Sequence, residues 1–311
     1  MEDAVQAGVT RATIFAALVA IAFGLGLVAV LAELLAWRGR RARGAIERRV
    51  GRVFIGVASF GLCCVVYGAC IEADWLTTTQ IEVRTPKLQR GARVRIVLLS
   101  DLHVRHPSRA LAELPAAVTA LDPDLLIFTG DSIATRRALP LFREVLGGLP
   151  AKHGRFAVKG NHDVWYFPKS DLFGEGVAHE LTGSATVAAG LVLCGAPYGS
   201  EGLLARCLSE HPEGFRVVVH HTPDSVEDLQ GLQPDLYLAG HTHGGQIRLP
   251  FYGALMTMSQ FDKRYEMGRY QVGPTTLFVT RGVGFEPLPA PRVRFLCPPE
   301  IAVIDVIGEG S

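Results

Sequence analysis

Two long apolar runs without a charged residue stand near the beginning of this 311-residue sequence. They cover residues 12–32 and 53–71 and hold 21 and 19 residues. A helix needs about 20 apolar residues to cross the hydrocarbon core of a bilayer. Both runs are apolar on every side rather than along one stripe, which is not typical of helices that cover a soluble core. The sequence therefore predicts two transmembrane helices, at about 12–37 and 53–72.

The segment between these runs is strongly basic, and its charge predicts how the chain is oriented. Residues 38–52 carry seven arginines and one glutamate, whereas residues 1–11 carry two acids and one arginine. Short loops rich in arginine stay on the cytoplasmic side of a membrane. We therefore expect the linker in the cytoplasm, with the N-terminus and everything after the second helix outside. A cleaved signal peptide is disfavoured because the first charges are acidic.

The composition argues against nucleic acid as a partner and against a cysteine-based metal site. The net charge is +1, and the arginine cluster lies between the two apolar runs, so the rest of the chain has no basic patch. The six cysteines include no CxxC pair. They predict neither a disulfide framework nor a zinc knuckle, and buried free thiols are expected instead.

From about Arg90 onward, short apolar runs alternate with helical patterns. Residues 108–121 and 138–149 have helical patterns, and Ser108 is suited to cap the first. Seven apolar runs are too short for helices and are bounded by turn residues, which predicts strands. These runs are 93–100, 124–130, 155–160, 215–220, 235–240, 275–282 and 300–306. Such alternation predicts an α/β domain with covered sheets.

Five of the predicted strands are followed directly by side chains that can bind metal ions. These are Asp101, His103, Asp131, Asn161, His162, Asp163, His220, His221, His241 and His243. Sheets of this class bind ligands at the carboxyl ends of their strands. Residues i and i+2 of an extended segment face the same way, so His241 and His243 can enter one cavity. The glycines around them let backbone and substrate approach closely. Asp131 can bridge two cations about 3.5–4 Å apart, the separation used in phosphoryl transfer.

Together the motifs SDLH, TGD, GNHD, HHTPD and GHTHGGQ resemble those of the calcineurin-like metallophosphoesterase family, and most closely its bacterial membrane-associated (YkuE-like) branch. The resemblance extends from about Ile81 to Val306. It implies a four-layer α/β/β/α sandwich of two mixed sheets, here preceded by two transmembrane helices. The chain would divide into a membrane anchor at 1–76 and a metallophosphoesterase domain at 77–311.

The resemblance also implies a role for the motif residues. Seven are expected as ligands of two divalent metal ions: Asp101, His103 and His243 for the first, Asn161, His221 and His241 for the second, and Asp131 between them. His162 is the expected catalytic residue, which binds the phosphate and assists the leaving oxygen. His220 is expected to pack beside the site. Arg281 and Arg294 are candidates for phosphate contact, although ion pairing at a strand end would explain them equally well.

Mixed imidazole and carboxylate ligands favour manganese, iron, zinc or cobalt over calcium or magnesium, and manganese is our first expectation. Some family members carry a second acid soon after GD, and GDSIATRR lacks it. The resemblance implies attack of a metal-bridging hydroxide on a phosphoester. The expected substrate is a phosphorylated small molecule or lipid, as a monoester, a diester or a pyrophosphate. The expected location is the bacterial inner (cell) membrane, crossed more than once, with the catalytic domain on the outer side.

Two alternatives stay open. Related members are associated with cleaving the pyrophosphate of UDP-2,3-diacylglucosamine in lipid A synthesis, which would require a domain that faces the cytoplasm. The chain could also be a non-catalytic scaffold that uses the fold for binding. Such relatives usually lose the catalytic histidine or several ligands, whereas His162 and all seven ligand candidates are present here.

Overall fold

The computed structural model describes residues 2–39, 44–287 and 291–310. Its helices are, in chain order, α1 (Glu2–Trp37), α2 (Ala45–Cys70), α3 (Arg109–Leu121), α4 (Leu139–Gly148), α5 (Asn161–Tyr166), α6 (Gly174–Val177) and α7 (Gly202–Glu210). Its strands are β1 (Thr77–Gln89), β2 (Arg93–Leu99), β3 (Leu125–Phe128), β4 (Arg155–Ala157), β5 (His179–Glu180), β6 (Thr186–Ala188), β7 (Leu191–Gly195), β8 (Phe215–Val219), β9 (Leu236–Ala239), β10 (Arg248–Leu249), β11 (Gly253–Ala254), β12 (Gly268–Val272), β13 (Thr275–Val279) and β14 (Glu300–Gly310).

Two mixed sheets of six strands each form the centre of the domain, and β10 and β11 form a separate hairpin. The first sheet has the order β1-β14-β2-β3-β4-β5, in which β2 to β5 run parallel and β14 runs antiparallel to β2. The second has the order β12-β13-β9-β8-β7-β6, with β13, β9, β8 and β7 parallel and both edge strands antiparallel to their neighbours. The prediction of two mixed sheets is confirmed.

Three hydrophobic clusters hold four layers together. The innermost cluster lies between the two sheets and includes the fully buried Ile96 and Leu238. A second cluster packs α3 and α4 on the first sheet through Leu114 and Phe142, and a third packs α7 on the second sheet through Leu208. The result is the α/β/β/α sandwich that the resemblance implies. Strands covered on both faces need continuous apolar sequence, which is why their runs show no polar alternation.

The predicted elements lie where the sequence patterns put them. Each of the seven predicted strands contains an observed strand or overlaps one, and Ser108 caps α3 by accepting a hydrogen bond from Leu111 N at 3.2 Å. The prediction lacks seven of the observed strands: β1, β5, β6, β7, β10, β11 and β12. In β1 and β12 buried and exposed residues are mixed, because both strands lie at sheet edges. Such strands lack the uniformly apolar runs on which the prediction depends.

The first two helices form a hairpin of their own. Both are long and apolar enough to cross a membrane, by length and composition. They pack closely where Gly26 faces Ala58, since a Cβ at Gly26 would lie 2.4 Å from the Ala58 Cβ. Large apolar side chains such as Leu27 and Phe60 are exposed on their outer surfaces. An exposed apolar surface of this size is typical of lipid contact, which supports membrane association.

The cysteines require a correction. Cys194 in β7 and Cys207 in α7 form a disulfide, whereas the sequence predicts free thiols. Their Cα atoms lie 5.9 Å apart because α7 packs directly on the second sheet, and a spacing of 13 residues does not reveal that contact. Of the four free cysteines only Cys297 is buried, while Cys63 and Cys70 are exposed on α2.

Candidate metal centre

Five loops meet at one edge of the sandwich, where β2, β3, β4, β8 and β9 end. The seven ligand candidates all lie in these loops: Asp101 and His103 after β2, Asp131 after β3, Asn161 after β4, His221 after β8, and His241 and His243 after β9. The loops are joined through their backbones. Asp101 N donates to Gly130 O at 2.9 Å, and His103 N donates to Asp131 O at 3.0 Å. Strand order and register thus bring residues from distant parts of the chain to one place.

Two groups of side chains are close enough to hold a metal ion each. Asp101, His103 and His243 form one group, and Asp101, Asp131 and His221 form the other, with the ligand atoms of each group within 4.8 Å of one another. The Asp131 Oδ2 atom lies 3.3 Å from His103 Nε2 and 3.4 Å from His221 Nε2. Asp131, a member of the second group, therefore also lies close to a histidine of the first, as a bridging carboxylate requires, and Asp101 belongs to both groups.

Asn161 and His241 extend the second group. His221 Nδ1 donates to the Thr129 carbonyl at 2.8 Å, which turns the unprotonated Nε2 of a neutral ring toward the site. That Nε2 lies 2.8 Å from Asn161 Oδ1 and 3.2 Å from His241 Nδ1. Two acceptor atoms can approach this closely only with a proton or a cation between them. A hydrogen bond that fixes the far nitrogen of an imidazole is also what metal-binding histidines usually have.

Several buried donor and acceptor atoms lack partners here. Among the described residues, Asp101 Oδ1, His103 Nε2 and His243 Nε2 are buried without a hydrogen bond. Buried polar atoms are almost always hydrogen-bonded, so a cluster of orphans indicates a missing ligand. Imidazole nitrogens, carboxylates and an amide oxygen fit a transition-metal dication such as manganese, iron, zinc or cobalt. The donor set therefore fits the metal ions that the sequence motifs imply.

The backbone of the site is strained and tightly packed. Five ligand candidates have a positive φ: Asp101, His103, Asp131, His241 and His243. Non-glycine residues in this conformation cost about 1–3 kcal/mol each and concentrate at functional sites. The glycines of the site are required because a side chain would clash with neighbouring residues. A Cβ at Gly240 would lie 2.0 Å from Ser100 Oγ, and one at Gly160 would lie 2.2 Å from Asp131 Oδ1.

Asp163 connects the loops after β3 and β4 by hydrogen bonds. Its carboxylate accepts hydrogen bonds from Asp131 N at 2.8 Å, Ser132 N at 2.9 Å and Gly160 N at 3.1 Å. The sequence leaves open whether Asp163 orients His162 or caps the next turn. The structure shows the cap, because Gly160 N is the first backbone donor of α5. Burial and the neighbouring Asp131 carboxylate raise the pKa of Asp163 to about 7.

The electrostatics of the site favour positive charge at its centre. Burial acts to raise the pKa of Asp131, but His221 and His103 outweigh it, so the pKa lies below its usual range. Burial acts to lower the pKa of His221, yet the carboxylates of Asp131 and Asp101 raise it to about 10. Burial lowers the pKa of His103 to about 4, and burial with His221 lowers that of His241. A pocket that retains a proton this strongly would also attract a divalent cation.

His162 and Glu286 face each other at the mouth of the site. One Glu286 carboxylate oxygen lies 3.3 Å from His162 Nε2, and the other lies 3.3 Å from His243 Nε2. Burial acts to lower the pKa of His162, but Glu286 and Asp131 raise it above its usual value. Burial acts to raise the pKa of Glu286, but the imidazoles of His162 and His243 bring it far below its usual range. The sequence motifs do not indicate Glu286, which follows β13 in a segment without a metal-binding pattern.

The remaining candidates have other partners. His220 is fully buried, with Nδ1 donating to the Ala196 carbonyl at 3.0 Å, so it packs beside the site as expected. Arg294 is also fully buried, and it donates to four backbone carbonyl groups: those of Arg281, Gly282, Gly284 and Cys297. Arg281 pairs with Glu300 at 2.8 Å. These contacts favour structural roles, and phosphate binding by either arginine stays a prediction that they do not support.

Comparison with known proteins gives a consistent result. Residues 94–245 match the family model described as calcineurin-like phosphoesterase. The chain is 32% identical over 264 residues to the metallophosphoesterase YkuE of Bacillus subtilis, covering 76% of this chain and 87% of that protein. It is 30% identical to the phosphodiesterase YaeI of Escherichia coli, covering 70% and 83%. It is 23% identical to the UDP-2,3-diacylglucosamine pyrophosphatase LpxG of Chlamydia trachomatis, covering 78% and 93%.

Proposed function

The chain belongs to the calcineurin-like phosphoesterase family, and from that premise we propose that it is a membrane-anchored phosphohydrolase with two divalent metal ions. Residues 1–76 form the anchor, and residues 77–311 form the catalytic domain. The observation that carries the proposal is the convergence of seven potential ligands from five loops, several of which have buried polar atoms without a hydrogen bond. A merely structural role would leave those atoms hydrogen-bonded within the protein.

The proposed ligand sets follow the family motifs: the first set is one of the two groups of side chains, and the second shares His221 with the other group. Asp101, His103 and His243 would hold one ion, Asn161, His221 and His241 would hold the other, and Asp131 would serve both. When bound, two such cations lower the pKa of a water molecule to near neutrality and neutralise charge on the phosphoryl oxygens. Manganese is the first expectation, and iron, zinc or cobalt are alternatives.

His162 supplies the proton chemistry in this proposal. Because its pKa is raised, the imidazole stays protonated up to a higher pH than that of an ordinary histidine. A protonated imidazole at the mouth of the site can donate a hydrogen bond to the phosphoryl oxygens and a proton to the leaving oxygen. The backbone N–H of His162 donates to Asp131 Oδ1 at 2.9 Å, so the proton donor is fixed directly to the bridging carboxylate.

We propose that the catalytic domain lies on the outer side of a bacterial inner membrane. The seven arginines of residues 38–52 favour a cytoplasmic linker. The Cys194–Cys207 disulfide is a second, independent argument, because disulfides persist in oxidising compartments and are rare in the cytosol. Both arguments disfavour the runner-up function, a UDP-2,3-diacylglucosamine pyrophosphatase that faces the cytoplasm. Protease accessibility of the domain on each side of sealed vesicles separates the two.

Two substitutions test the hydrolase proposal. Asp131→Asn weakens the bridging position, and His241→Ala removes one ligand of the second ion. Each is expected to lower kcat on p-nitrophenyl phosphate or its bis ester at least about 100-fold, the usual scale for losing charge stabilisation at a reacting centre. His211→Ala, which alters an exposed histidine at the end of α7, is the matched control. Full activity in both site variants, with circular dichroism unchanged, would reject the proposal.

A further inference from the structure

An exposed group of apolar side chains lies beside the hairpin of β10 and β11. We call it the apolar rim and define it as Leu249, Phe251, Tyr252 and Leu296, which line one shallow depression together with Gly253 and the ion pair of Arg248 and Glu266. Phe251 is completely exposed, and Tyr252 and Leu296 are 45% and 44% exposed. Phe251 has a positive φ of 63°, a conformation that an aromatic residue rarely adopts, so its exposed position is imposed by the hairpin turn. Soluble proteins seldom expose a cluster of this kind without a partner.

Helix α1 docks next to the rim. The Arg11 side chain donates to the Leu255 carbonyl at 3.2 Å and pairs with Asp262. One turn earlier, Gly8 faces Met256, since a Cβ at Gly8 would lie 3.0 Å from the Met256 Cγ. Leu255 and Met256 directly follow β11. The rim hairpin is therefore held against the end of α1 that leads into the first apolar run.

Helix α2 docks on the other part of the rim. The Arg294 N–H donates to the Gly68 carbonyl at 3.1 Å, and the Phe295 ring meets the Tyr67 ring edge-on with 6.1 Å between centroids. The Leu296 N–H donates to the Glu72 carboxylate at 3.0 Å. The rim residue Leu296 is thus hydrogen-bonded to Glu72, which directly follows the second apolar run.

These contacts determine the position of the rim relative to the ends of the two apolar runs. Arg11 and Glu72 are the charged residues that bound the two uncharged runs on the side of the domain. Arg11 binds the Leu255 carbonyl just after the rim hairpin, and Glu72 binds the Leu296 N–H within the rim. The rim therefore lies level with the ends of the apolar runs. The Lys263 ammonium stands 3.7 Å above the Tyr252 ring. Aromatic residues with nearby lysine or arginine are typical of the headgroup layer of a membrane.

The rim is also connected to the metal centre. Arg248, the first residue of β10, donates to the Gly244 carbonyl at 2.9 Å, next to His243. The Phe295 N–H donates to the Gln246 carbonyl at 3.0 Å, and Gln246 Oε1 accepts from Glu286 N at 2.9 Å. Short bonded paths therefore run from the rim to two residues of the site.

We propose that the apolar rim is embedded in the headgroup layer of the bilayer that α1 and α2 span, which places the metal centre just above that layer. The occupant of the exposed surface is lipid rather than a protein partner, because both neighbouring elements are membrane helices and the rim lies at their ends. This inference rests on the proposed membrane anchor. It implies that phosphates carried by membrane-partitioned molecules reach the site more readily than those of soluble molecules.

Tryptophan fluorescence in vesicles tests the proposal with the full chain. The vesicles consist of phosphatidylcholine brominated near the headgroup, with unbrominated vesicles for comparison. One variant carries Trp75→Phe and Trp165→Phe and retains Trp37 at the end of α1. Two others carry Trp37→Phe as well, combined with either Phe251→Trp or Val187→Trp. Val187 is the matched control, since it is 71% exposed on β6 at the far edge of the second sheet.

We expect bromine to quench the Phe251→Trp variant at least about twofold more than the Val187→Trp variant, which stays as bright as in unbrominated vesicles. Equal quenching of these two variants, with Trp37 quenched, overturns the rim proposal and leaves the anchor intact. Unquenched Trp37 overturns the anchor itself, and the rim proposal with it. Unchanged hydrolysis of p-nitrophenyl phosphate by the Phe251→Trp variant shows that the domain is folded.

Discussion

Replacing Asp163 by asparagine tests whether one buried carboxylate organises the metal centre. Its Oδ2 accepts from Asp131 N and Gly160 N, and its Oδ1 accepts from Ser132 N. The side chain is fully buried, so water cannot replace these bonds. Asparagine has a single acceptor oxygen. Even in its best orientation, the new amide N–H₂ group would face the N–H of Ser132, and two donors would oppose each other.

The expected loss of stability follows from this count. Above pH 7, where the Asp163 carboxyl group is mostly ionised, a hydrogen bond to this charged group contributes about 1.5–3 kcal/mol, and a buried donor left without a partner costs about 1–3 kcal/mol. We expect Asp163→Asn to lower the free energy of unfolding by about 2–4 kcal/mol. For a domain of more than 150 residues, each kcal/mol shifts Tm by about 2–4 °C, which gives a decrease of about 4–16 °C. The ligand candidate Asp131 should also lose its fixed position, so more metal should be needed for half-maximal activity.

Thermal unfolding in chelator and in excess Mn²⁺, with a metal titration of activity, measures both effects. The matched control is Asp171→Asn, since Asp171 also accepts a backbone N–H, from Gly174 at 2.9 Å, but has a side chain 72% exposed. Water can replace that bond, so the control should change Tm by only a few degrees. If the two variants unfold at the same temperature and titrate alike with metal, the hydrogen bonds that Asp163 makes between the loops do not contribute to stability, and the reasoning is refuted.

Three further predictions concern the metal, the packing and the disulfide. Removal of metal by a chelator should abolish hydrolysis and lower Tm, and Mn²⁺ should restore both; activity that survives dialysis against chelator would contradict a metal mechanism. Gly240→Ala should lower activity at least about tenfold, because its Cβ would lie 2.0 Å from Ser100 Oγ and 2.4 Å from Asp101 Oδ2, and small displacements of site residues are costly in catalysis. Gly231→Ala is the control and should be neutral, since there is open space around Gly231. Equal effects of the two substitutions on activity would argue against the clash. Cys207→Ser should cost about 3 kcal/mol by freeing a short loop, as measured by urea unfolding, and an unchanged midpoint would show that the bond is not formed.

The sequence predicts the strands beside the candidate site well, because their signals are local. β2, β3, β4, β8 and β9 are apolar runs, and each ligand candidate follows such a run directly, so position along the chain is enough to find the candidates. His221 rather than His220 faces the site because adjacent residues of an extended chain point to opposite sides. The same alternation explains the burial of His220 against the Ala196 carbonyl.

Features that depend on long-range packing escape prediction. Glu286 reaches His162 only because the segment after β13 folds over the site, and no local pattern shows this. The Cys194–Cys207 pair depends on the packing of α7 against the second sheet. By residue type alone Arg294 is suited to phosphate, yet its side chain donates to four backbone carbonyl groups. Its role depends on which loop surrounds it, and residue type does not carry that information.

The pairing of β1 with β14 has a consequence for biosynthesis. The strand that follows α2 pairs in parallel with a strand more than two hundred residues later, and Glu72 binds the backbone just before that strand. In the proposed topology, β1 would wait beside the bilayer during translocation, with an open hydrogen-bonding edge, until β14 has emerged. Exposed strand edges invite pairing with other chains. The nascent protein would consequently be vulnerable to aggregation at the membrane surface for most of its synthesis, and would be a natural client of a chaperone stationed there.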